Sequence, residues 1–379
     1  MIKTVTQPYT LRRRDWLAFA AATAATTSAL PLHATSAARP GLLTAWTSGD
    51  DNQAWAGVWQ LGSNPRGVAL PKRAHEVLVQ HSALGQPTHA LAVARRPGEY
   101  LLRFDTRTAR AVHWHDIEDD RMLCGHASYA LDGSALYTTE TNTDTGAGMI
   151  AVRDPLSLEK RAEFPSGGLD PHMVLVEPDG SLLVANGGLL SLPETGRTKL
   201  NIGRMDSSIA RLDAKTGAQR QVWRVNDPFL SLRHLARAAD GTVAVAMQAE
   251  HTDPQARRTA PLLALLDGSG LRSVPLPPAL ALGGYAGDVA YVPGSGPQAA
   301  DRFVISATRA GQLAWWSAQG EAPSQQPLPE AGALATLGAD WLASGAQGDV
   351  RGMQNHHALE RHLDKVHWDN HGKWLALTA

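Results

Sequence analysis

Cysteine is almost absent from this sequence, since Cys124 is the single one among 379 residues. One thiol excludes an internal disulfide, a four-cysteine zinc site and a cysteine-ligated iron–sulfur cluster. A lone cysteine beside a glycine is most often a small buried side chain, so we expect Cys124 to pack in the interior. Any metal chemistry in this chain must depend on other ligands.

The sequence also lacks a strong charge of either sign and a long, strongly apolar run. Its 35 Lys and Arg against 36 Asp and Glu give a formal charge of −1, which provides no electrostatic basis for binding nucleic acid. The uncharged stretch from Leu17 to Leu32 is rich in Ala and Thr, and it is too short and too weakly apolar to span a bilayer. We therefore expect no nucleic-acid partner and no membrane span, and we expect a monomer.

The first 38 residues have the pattern of a targeting segment. Arg13-Arg14-Asp15-Trp16-Leu17 matches a twin-arginine export motif, with Trp16 where Phe is commoner. The uncharged run follows, and small residues suitable for cleavage occur between Ala34 and Ala38. A disordered basic tail is the alternative. We expect residues 1–38 to be a signal peptide for periplasmic export by the twin-arginine route, and residues 39–379 to form one domain.

Glycine and proline, in contrast, are plentiful, at 35 and 23 residues, and they punctuate a repeated pattern. In Asp170–Gly188, two short apolar runs flank Glu177-Pro178-Asp179-Gly180. A Pro-Asp-Gly turn between such runs predicts a β-hairpin. The same pattern recurs in Gly125–Thr139, in Arg233–Met247 and, with a longer turn, in Gly287–Ala307.

The later half of each unit adds two more strands, so that a unit has four. The predicted units begin at His89, His126, His172, His234 and Asp288. With the N-terminal pieces and a last unit near Ala333, about seven units are present. Four strands at this spacing are typical of a β-propeller blade. We predict an all-β, seven-bladed propeller with four-stranded antiparallel blades, with a β-sandwich pair or a ring of six or eight blades as alternatives.

Ring closure and two irregular segments complete the predicted architecture. Because a ring must close, we expect Leu42–Thr47 to complete the sheet of the C-terminal blade. Leu189–Arg204 is a long insertion, which we expect to form a polar rim over the channel or a simple packing loop. Asn355–His367 has apolar residues at helical spacing, which predicts a short helix.

Histidines open the predicted first strand of four blades: His89, His126, His172 and His234. The first strand of a blade lines the central channel, so these side chains are expected near one mouth. Neutral imidazoles in a ring can bind Cu, Zn, Ni or Fe. The alternative is that each histidine caps its own blade by a hydrogen bond to a neighbouring turn. The hypothesis is a transition-metal site, with copper, iron or zinc as cofactor.

Five further residues are candidates for ligand binding at the channel mouth: Arg233, Asp288, His371, Arg197 and Asn186. Arg233 beside His234 suits an anionic group, although a salt bridge between blades is the alternative. His371 belongs to a group of five histidines within sixteen residues of the C-terminal segment. A histidine-rich tract can bind metal, but we expect most of this group to be solvated.

The segment Leu182–Asn201, LLVANGGLLSLPETGRTKLN, resembles a bacterial family known only as domain of unknown function 1513. Similar stretches are scattered over most of the chain: Gly125–Thr141, Gly168–Asn201, Ser231–Gln248, Gly284–Val289 and Trp368–His371. The resemblance implies a periplasmic seven-bladed propeller of the YVTN-repeat kind. It also implies a place near iron-uptake components such as imelysin-type proteins.

These observations lead to one expected function and two alternatives. We expect a periplasmic binding or accessory protein in metal or iron handling, with a periplasmic protein of an iron-uptake system as its partner. The first alternative is a propeller enzyme, either lactonase-like or a metal-dependent oxidoreductase. The second is a protein-interaction scaffold. A Gly-x-Ser-x-Gly motif is absent, so one common hydrolase signature is missing.

Overall fold

The computed structural model describes residues 39–85, 88–192, 198–277, 279–296 and 299–377. These residues form seven four-stranded sheets in which every pairing is antiparallel. The predicted seven-bladed propeller is confirmed, whereas the predicted signal peptide lies outside the described residues and stays a prediction. Within the described ranges, no helix is long and apolar enough to cross a membrane.

Each blade runs from an innermost strand at the central channel to an outermost strand at the rim, and its four strands follow in that order. Blade 1 contains β28 (Val366–Leu377), β1 (Arg39–Ser48), β2 (Ala54–Gln60) and β3 (Arg66–Leu70). Blade 2 contains β4 (Ala74–Val79), β5 (His89–Ala94), β6 (Tyr100–Asp105) and β7 (Arg110–Asp116). Blade 3 contains β8 (Arg121–Tyr129), β9 (Leu136–Asn142), β10 (Gly148–Arg153) and β11 (Lys160–Pro165). Blade 4 contains β12 (Pro171–Val176), β13 (Leu182–Asn186), β14 (Ser208–Leu212) and β15 (Gln219–Trp223).

The remaining three blades follow the same order. Blade 5 contains β16 (Leu230–Arg237), β17 (Val243–Ala249), β18 (Leu263–Asp267) and β19 (Gly270–Ser273). Blade 6 contains β20 (Val289–Val292), β21 (Arg302–Ala307), β22 (Gln312–Ser317) and β23 (Ser324–Pro327). Blade 7 contains β24 (Ala331–Leu337), β25 (Asp340–Gly345), β26 (Asp349–Gln354) and β27 (His357–His362). A short α-helix, Pro254–Thr259, connects β17 to β18.

The ring closes through blade 1, which combines both ends of the described chain. β28 pairs with β1 in antiparallel register, with Leu42 opposite Trp374. The innermost strands of all seven blades also contact one another in a complete circle. The expected closure at Leu42–Thr47 is therefore confirmed, and β28, from the C-terminal segment, lines the central channel.

Burial explains why the middle strands of a blade are nearly continuous apolar runs instead of alternating polar and apolar residues. The middle strands of a blade have a neighbouring blade on each face, so both faces are buried. All five residues of β13 are buried, and all seven of β17 are. The outermost strands face solvent on one side, and β7 and β15 are accordingly exposed or half-buried along their length.

Local sequence determines the predicted hairpin, and tertiary pairing overrules the predicted helix. Gly180 has φ +80°, in the left-handed region that glycine adopts readily, and β12 and β13 pair across this turn. The helix expected over Asn355–His367 is wrong. His357–His362 forms β27 instead, because its backbone groups pair with β26 at the edge of blade 7, and tertiary pairing outweighs a weak helical pattern.

Candidate metal centre

Five histidine rings meet at the centre of the propeller, each from the innermost strand of a different blade. They are His75 of β4, His126 of β8, His172 of β12, His234 of β16 and His371 of β28. The ring centroids lie 4.6 Å apart for His75 and His371 and 4.7 Å apart for His126 and His371. We call this set the histidine cluster. One ring nitrogen from each of its members other than His371 lies within 4.8 Å of the corresponding three.

Interruptions of strand pairing place these side chains. The register between β4 and β5 shifts between Ala74 and Glu76, so His75 has no partner opposite it. His172 lies in a similar shift between Pro171 and Met173. The pairings of β8, β16 and β28 shift beside the other three histidines. A β-bulge bends its strand and redirects a side chain, which here brings five imidazoles to one point.

Two histidines of the cluster are oriented by buried carboxylates. His126 Nδ1 lies 3.0 Å from Glu76 Oε2, and His371 Nδ1 lies 3.2 Å from Asp288 Oδ1. Because a carboxylate accepts hydrogen bonds, each Nδ1 carries a proton, and in the neutral form of each ring the lone pair is on Nε2. Lys373 Nζ lies 3.1 Å from Glu76 Oε1. Burial alone would raise the pKa of Glu76, but Lys373 and His126 outweigh it and hold that pKa well below its ordinary value.

A second hydrogen-bonded chain runs through Arg233, His172 and His234. Arg233 Nη1 lies 3.2 Å from His172 Nδ1 and 2.7 Å from Asp170 Oδ2. Since a guanidinium can only donate, His172 Nδ1 accepts and its Nε2 carries the proton. That Nε2–H donates to His234 Nε2, 2.9 Å away. In this arrangement His172 differs from His126 and His371, because its Nε2 carries a proton where theirs keep a lone pair.

Several ring nitrogens of the histidine cluster are buried and have no hydrogen-bond partner in the described part of the chain. They are both nitrogens of His75, Nε2 of His126, Nδ1 of His234 and Nε2 of His371. Burial, reinforced by neighbouring rings and cations, lowers the pKa of His75, His172 and His234 well below the ordinary value. Burial also lowers the pKa of His126, against the opposing effect of Glu76. These four imidazoles are therefore neutral at pH 7, which is the form that binds a metal ion.

A cavity of about 250 Å³ adjoins one side of the cluster. His75, His172 and His234 form part of its wall. Four cationic side chains also line it: Arg95, Arg96, Lys199 and Arg233. No Asp or Glu lines it among the described residues. We call this cavity the basic chamber. It lies at the end of the channel where the innermost strands begin.

The opposite end of the channel is lined by a different set of side chains. Its cavity, of about 310 Å³, is lined by residues further along the innermost strands, including Met173, Arg237 and Trp374. His126 and His371 face this side, together with Glu76 and Asp288. The cluster therefore separates two mouths, with the basic chamber on one side and the carboxylate-supported histidines on the other.

The structure brings together some of the predicted site residues and separates others. His126, His172, His234 and His371 belong to the cluster, Arg233 donates to His172, and Asp288 orients His371. His89 does not join them, because it lies on β5, the second strand of blade 2, with its Nε2 3.8 Å from Asp105. Its expected place on a first strand is wrong, since that strand is β4.

Asn186 forms its described side-chain hydrogen bonds away from the histidine cluster. Asn186 is buried in β13, where its Oδ1 accepts from Ser166 Oγ at 2.8 Å and its Nδ2 donates to Ser166 O at 3.1 Å. Its amide therefore links blades 3 and 4. Arg197 lies outside the described residues. Cys124 is buried as expected, and burial raises the pKa of its thiol to about 12.

At Gly187, next to Asn186, the side chains of Asp170 and Arg233 lie so close to the backbone that a Cβ would not fit. A Cβ at this position would lie 2.7 Å from Asp170 Oδ2 and 3.0 Å from Arg233 Cζ. The absence of a side chain therefore makes room for the buried pair of Asp170 and Arg233.

Of the described histidines outside the cluster, those in the C-terminal group are exposed, as expected: His356, His357, His362 and His367.

His75 is the cluster member that the sequence reasoning missed. The predicted unit begins at His89, whereas blade 2 begins with β4, which contains His75. A shared signal exists, because each cluster histidine lies within the innermost strand of its blade, as His75 does in β4 and His126 does in β8. That signal depends on knowing which strand is innermost, which the sequence does not state.

The fold and the site together define a β-propeller with a buried histidine cluster at its centre. The chain belongs to the family described as "Protein of unknown function (DUF1513)", whose model matches residues 68–375. No curated protein matches it. Among solved structures it is similar to Kuenenia stuttgartiensis hydrazine synthase, with 14% identity, a TM-score of 0.52, and coverage of 71% of this chain and 74% of that one. At that identity the likeness supports the propeller fold alone.

Proposed function

We propose that this protein binds a transition-metal ion in the histidine cluster. The observation that carries the proposal is the set of buried ring nitrogens without a hydrogen-bond partner, on His75, His126, His234 and His371. A buried polar atom without a partner costs free energy, and native proteins seldom leave such atoms unpaired. An ion bound by lone pairs of His75, His126 and His371 would satisfy one nitrogen of each of these three rings together.

Protonation states favour His126 and His371 as ligands. Each donates Nδ1–H to a carboxylate and keeps its Nε2 lone pair, which is the arrangement that supports metal-bound histidines in proteins. His75 supplies a third nitrogen, because neither of its ring nitrogens has a hydrogen-bond partner in the described part of the chain. His172 donates its Nε2–H to His234 Nε2, so neither of these two nitrogens offers the ion a lone pair in this arrangement.

Distances within the cluster also suit an ion. The ring centroids of His75, His126 and His371 lie 4.6 to 4.7 Å from one another, which places three of the rings around a common point. A donor set of neutral imidazoles suits copper, iron or zinc more than calcium or magnesium, which prefer oxygen. We propose one of these three as the bound ion.

The wider role follows from the proposed site and the export motif. We propose a monomeric periplasmic binding or accessory protein in metal or iron handling, exported with its fold formed by the twin-arginine route and acting with a periplasmic partner of an iron-uptake system. The support is the Arg13-Arg14 motif and the buried, nitrogen-rich centre. Fractionation of cells expressing the full chain tests the location, and retention in the cytoplasm would contradict it.

Metal analysis of the purified protein tests the site itself. We expect about one equivalent of copper, iron or zinc, lost on substitution of His126→Ala together with His371→Ala. His89→Ala is the matched control, because this histidine lies on the second strand of blade 2. We expect that variant to keep its metal. No metal in the wild type after reconstitution with each ion, or equal loss in the control, would contradict the proposal.

Catalysis at the same ion is a second candidate function, favoured by one observation. The basic chamber adjoins His75, His172 and His234 and gives a small molecule access to the ion. An oxidoreductase reaction would then depend on the cluster. Turnover of a substrate that disappears in the His126/His371 variant but persists in His89→Ala would support it, whereas binding without turnover supports the accessory role.

A further inference from the structure

We infer that the basic chamber binds a small di- or tricarboxylate. The part of this inference in which the ligand also reaches the ion rests on the proposed function. The part concerning the cationic wall does not, because it depends only on side chains that are present whether or not an ion is bound.

Charge is the first argument. The four cations of the wall pair with three carboxylates placed behind it. Asp170 pairs with both Arg96 and Arg233, while Asp369 pairs with Arg95 and Glu250 pairs with Lys199. Two guanidiniums therefore share one carboxylate, and among the described residues the cations around the chamber outnumber their carboxylate partners. Arg73 also pairs with Asp369 and adds to that excess.

Unpartnered buried atoms are the second argument. Arg233 is 3% exposed, and its Nε has no partner in the described part of the chain. His75 is 6% exposed, and neither of its ring nitrogens has a partner there. Both residues belong to the chamber wall. A carboxylate ligand could accept a hydrogen bond from Arg233 Nε with one oxygen and bind an ion held by His75 with another.

Size and the other wall residues restrict the class of ligand. A cavity of about 250 Å³ has the liquid volume of about eight waters, which suits a small organic acid and is too small for a folded partner. Gln248, Tyr285 and Asn370 add neutral polar groups to the wall. Arginine recognises carboxylates by paired hydrogen bonds, so an acid with two or three carboxylates could contact the arginines and the ion at once.

Calorimetric titration of the full chain with citrate, malonate and inorganic phosphate tests the inference. With metal-free protein we expect citrate and malonate to bind with an affinity that falls as salt is added. Arg96→Gln and Lys199→Gln should each weaken that binding at least tenfold. Arg96→Gln leaves Asp170 paired with Arg233, so the buried carboxylate keeps a partner. Arg237→Gln, at the opposite mouth, is the matched control and should bind the acids like the wild type.

Zinc-loaded protein tests the contact with the ion. We expect malonate to bind it at least tenfold more tightly than metal-free protein, with zinc content unchanged in Arg96→Gln. Equal malonate affinities with and without zinc would overturn that contact. Phosphate binding as tight as malonate would overturn the carboxylate class. No binding of any probe, or identical binding in Arg96→Gln and the wild type, would overturn the chamber site even if zinc is held. Loss of acid binding in Arg96→Gln without any zinc binding would support the chamber and remove the proposed metal function.

Discussion

Gly125 lies directly against the imidazole ring of His75. A Cβ on Gly125 would be 2.4 Å from His75 Cδ2, a separation that real Cβ atoms essentially never show, and the glycine has φ +111°. Gly125, the residue before His126 in blade 3, thus limits where the ring of His75 from the preceding blade can lie. The glycine is required for both its backbone conformation and its missing side chain.

The substitution Gly125→Ala should therefore displace His75 and weaken metal binding. We expect at least a tenfold loss of zinc affinity, measured by competition with a chelating dye. The positive φ adds a backbone cost of about 1–2 kcal/mol. Gly180→Ala is the matched control, because it has φ +80° but nothing within 4 Å of the added Cβ. The control should lose stability while keeping zinc affinity, and equal zinc affinity in both variants would contradict the role of Gly125.

Glu76→Gln should weaken metal binding without removing the ligand that Glu76 supports. The carboxylate accepts from His126 Nδ1 and from the Ala127 amide. Loss of its charge makes His126 a poorer donor to the ion, and losses of this kind are about 10- to 100-fold in affinity. We expect about tenfold weaker zinc binding in the same dye competition.

Glu177→Gln is the control for that substitution. Glu177 is also buried, at 5% exposure, but it pairs with Arg211 and Arg237 instead of a histidine. It should change zinc affinity little. A zinc affinity reduced equally in both variants would show that Glu76 acts only on general stability.

The metal-free protein should lose stability as the pH falls below about 6.5. Burial lowers the folded-state pKa of four cluster histidines: His75, His126, His172 and His234. The unfolded chain, with ordinary values near 6.5, then binds more protons than the folded one. Stability is complete above that value and declines with acid, by up to about 1.4 kcal/mol per pH unit for each histidine.

Urea unfolding of protein treated with a chelator, at pH 7.5 and at pH 5.5, measures this decline. His172→Asn should reduce the slope of stability against pH by about one proton, since it removes one of the four groups. A wild-type stability that is unchanged between these pH values would contradict neutral, buried imidazoles in the folded state.

Arg153→Ala should destabilise the propeller far from the metal centre. Arg153 is fully buried and donates to Glu140, Glu118 and the Leu158 carbonyl. Burial raises the pKa of Glu140 even with this cation beside it. Removing one partner of a buried ion pair costs about 3–5 kcal/mol, because the other charge is left without compensation.

The exposed pair of Arg161 and Asp154 in the same blade provides the comparison. Arg161→Ala should cost about 0–1 kcal/mol. Thermal unfolding of both variants measures the difference, and the double variant Arg153→Met with Glu140→Gln should recover part of the loss. If the two single variants unfold at the same temperature, the buried network contributes no more than a surface pair.

The hairpins and the blade number were predictable because they depend on short-range patterns, and the ring closure was predictable because a propeller must close. The turn at Gly180 follows from Pro178-Asp179-Gly180, and strands such as Leu182–Asn186 follow from continuous apolar runs. Closure at Leu42–Thr47 follows because an unpaired sheet edge would remain otherwise. Of the site, His126, His172 and His234 were predictable from their equivalent places in the repeat.

His75, His89 and His371 show where that reasoning fails. His89 precedes an apolar strand much as His126 does, but the strand is the second of its blade. His75 and His371 are nearly three hundred residues apart in sequence, yet their rings lie 4.6 Å apart. Which strand is innermost is set by the pairing of β28 with β1, a long-range contact that no local pattern encodes.

The sequence by itself therefore determined a ring of seven four-stranded blades, because strand and turn preferences act within a few residues and the repeat makes them visible. Only the tertiary structure decided which five imidazoles meet, which hydrogen bonds orient their nitrogens, and that four cations line the cavity on one side of them. Those properties arise from bulged innermost strands meeting at a common axis, and from carboxylates such as Glu76 and Asp288 that come from other blades.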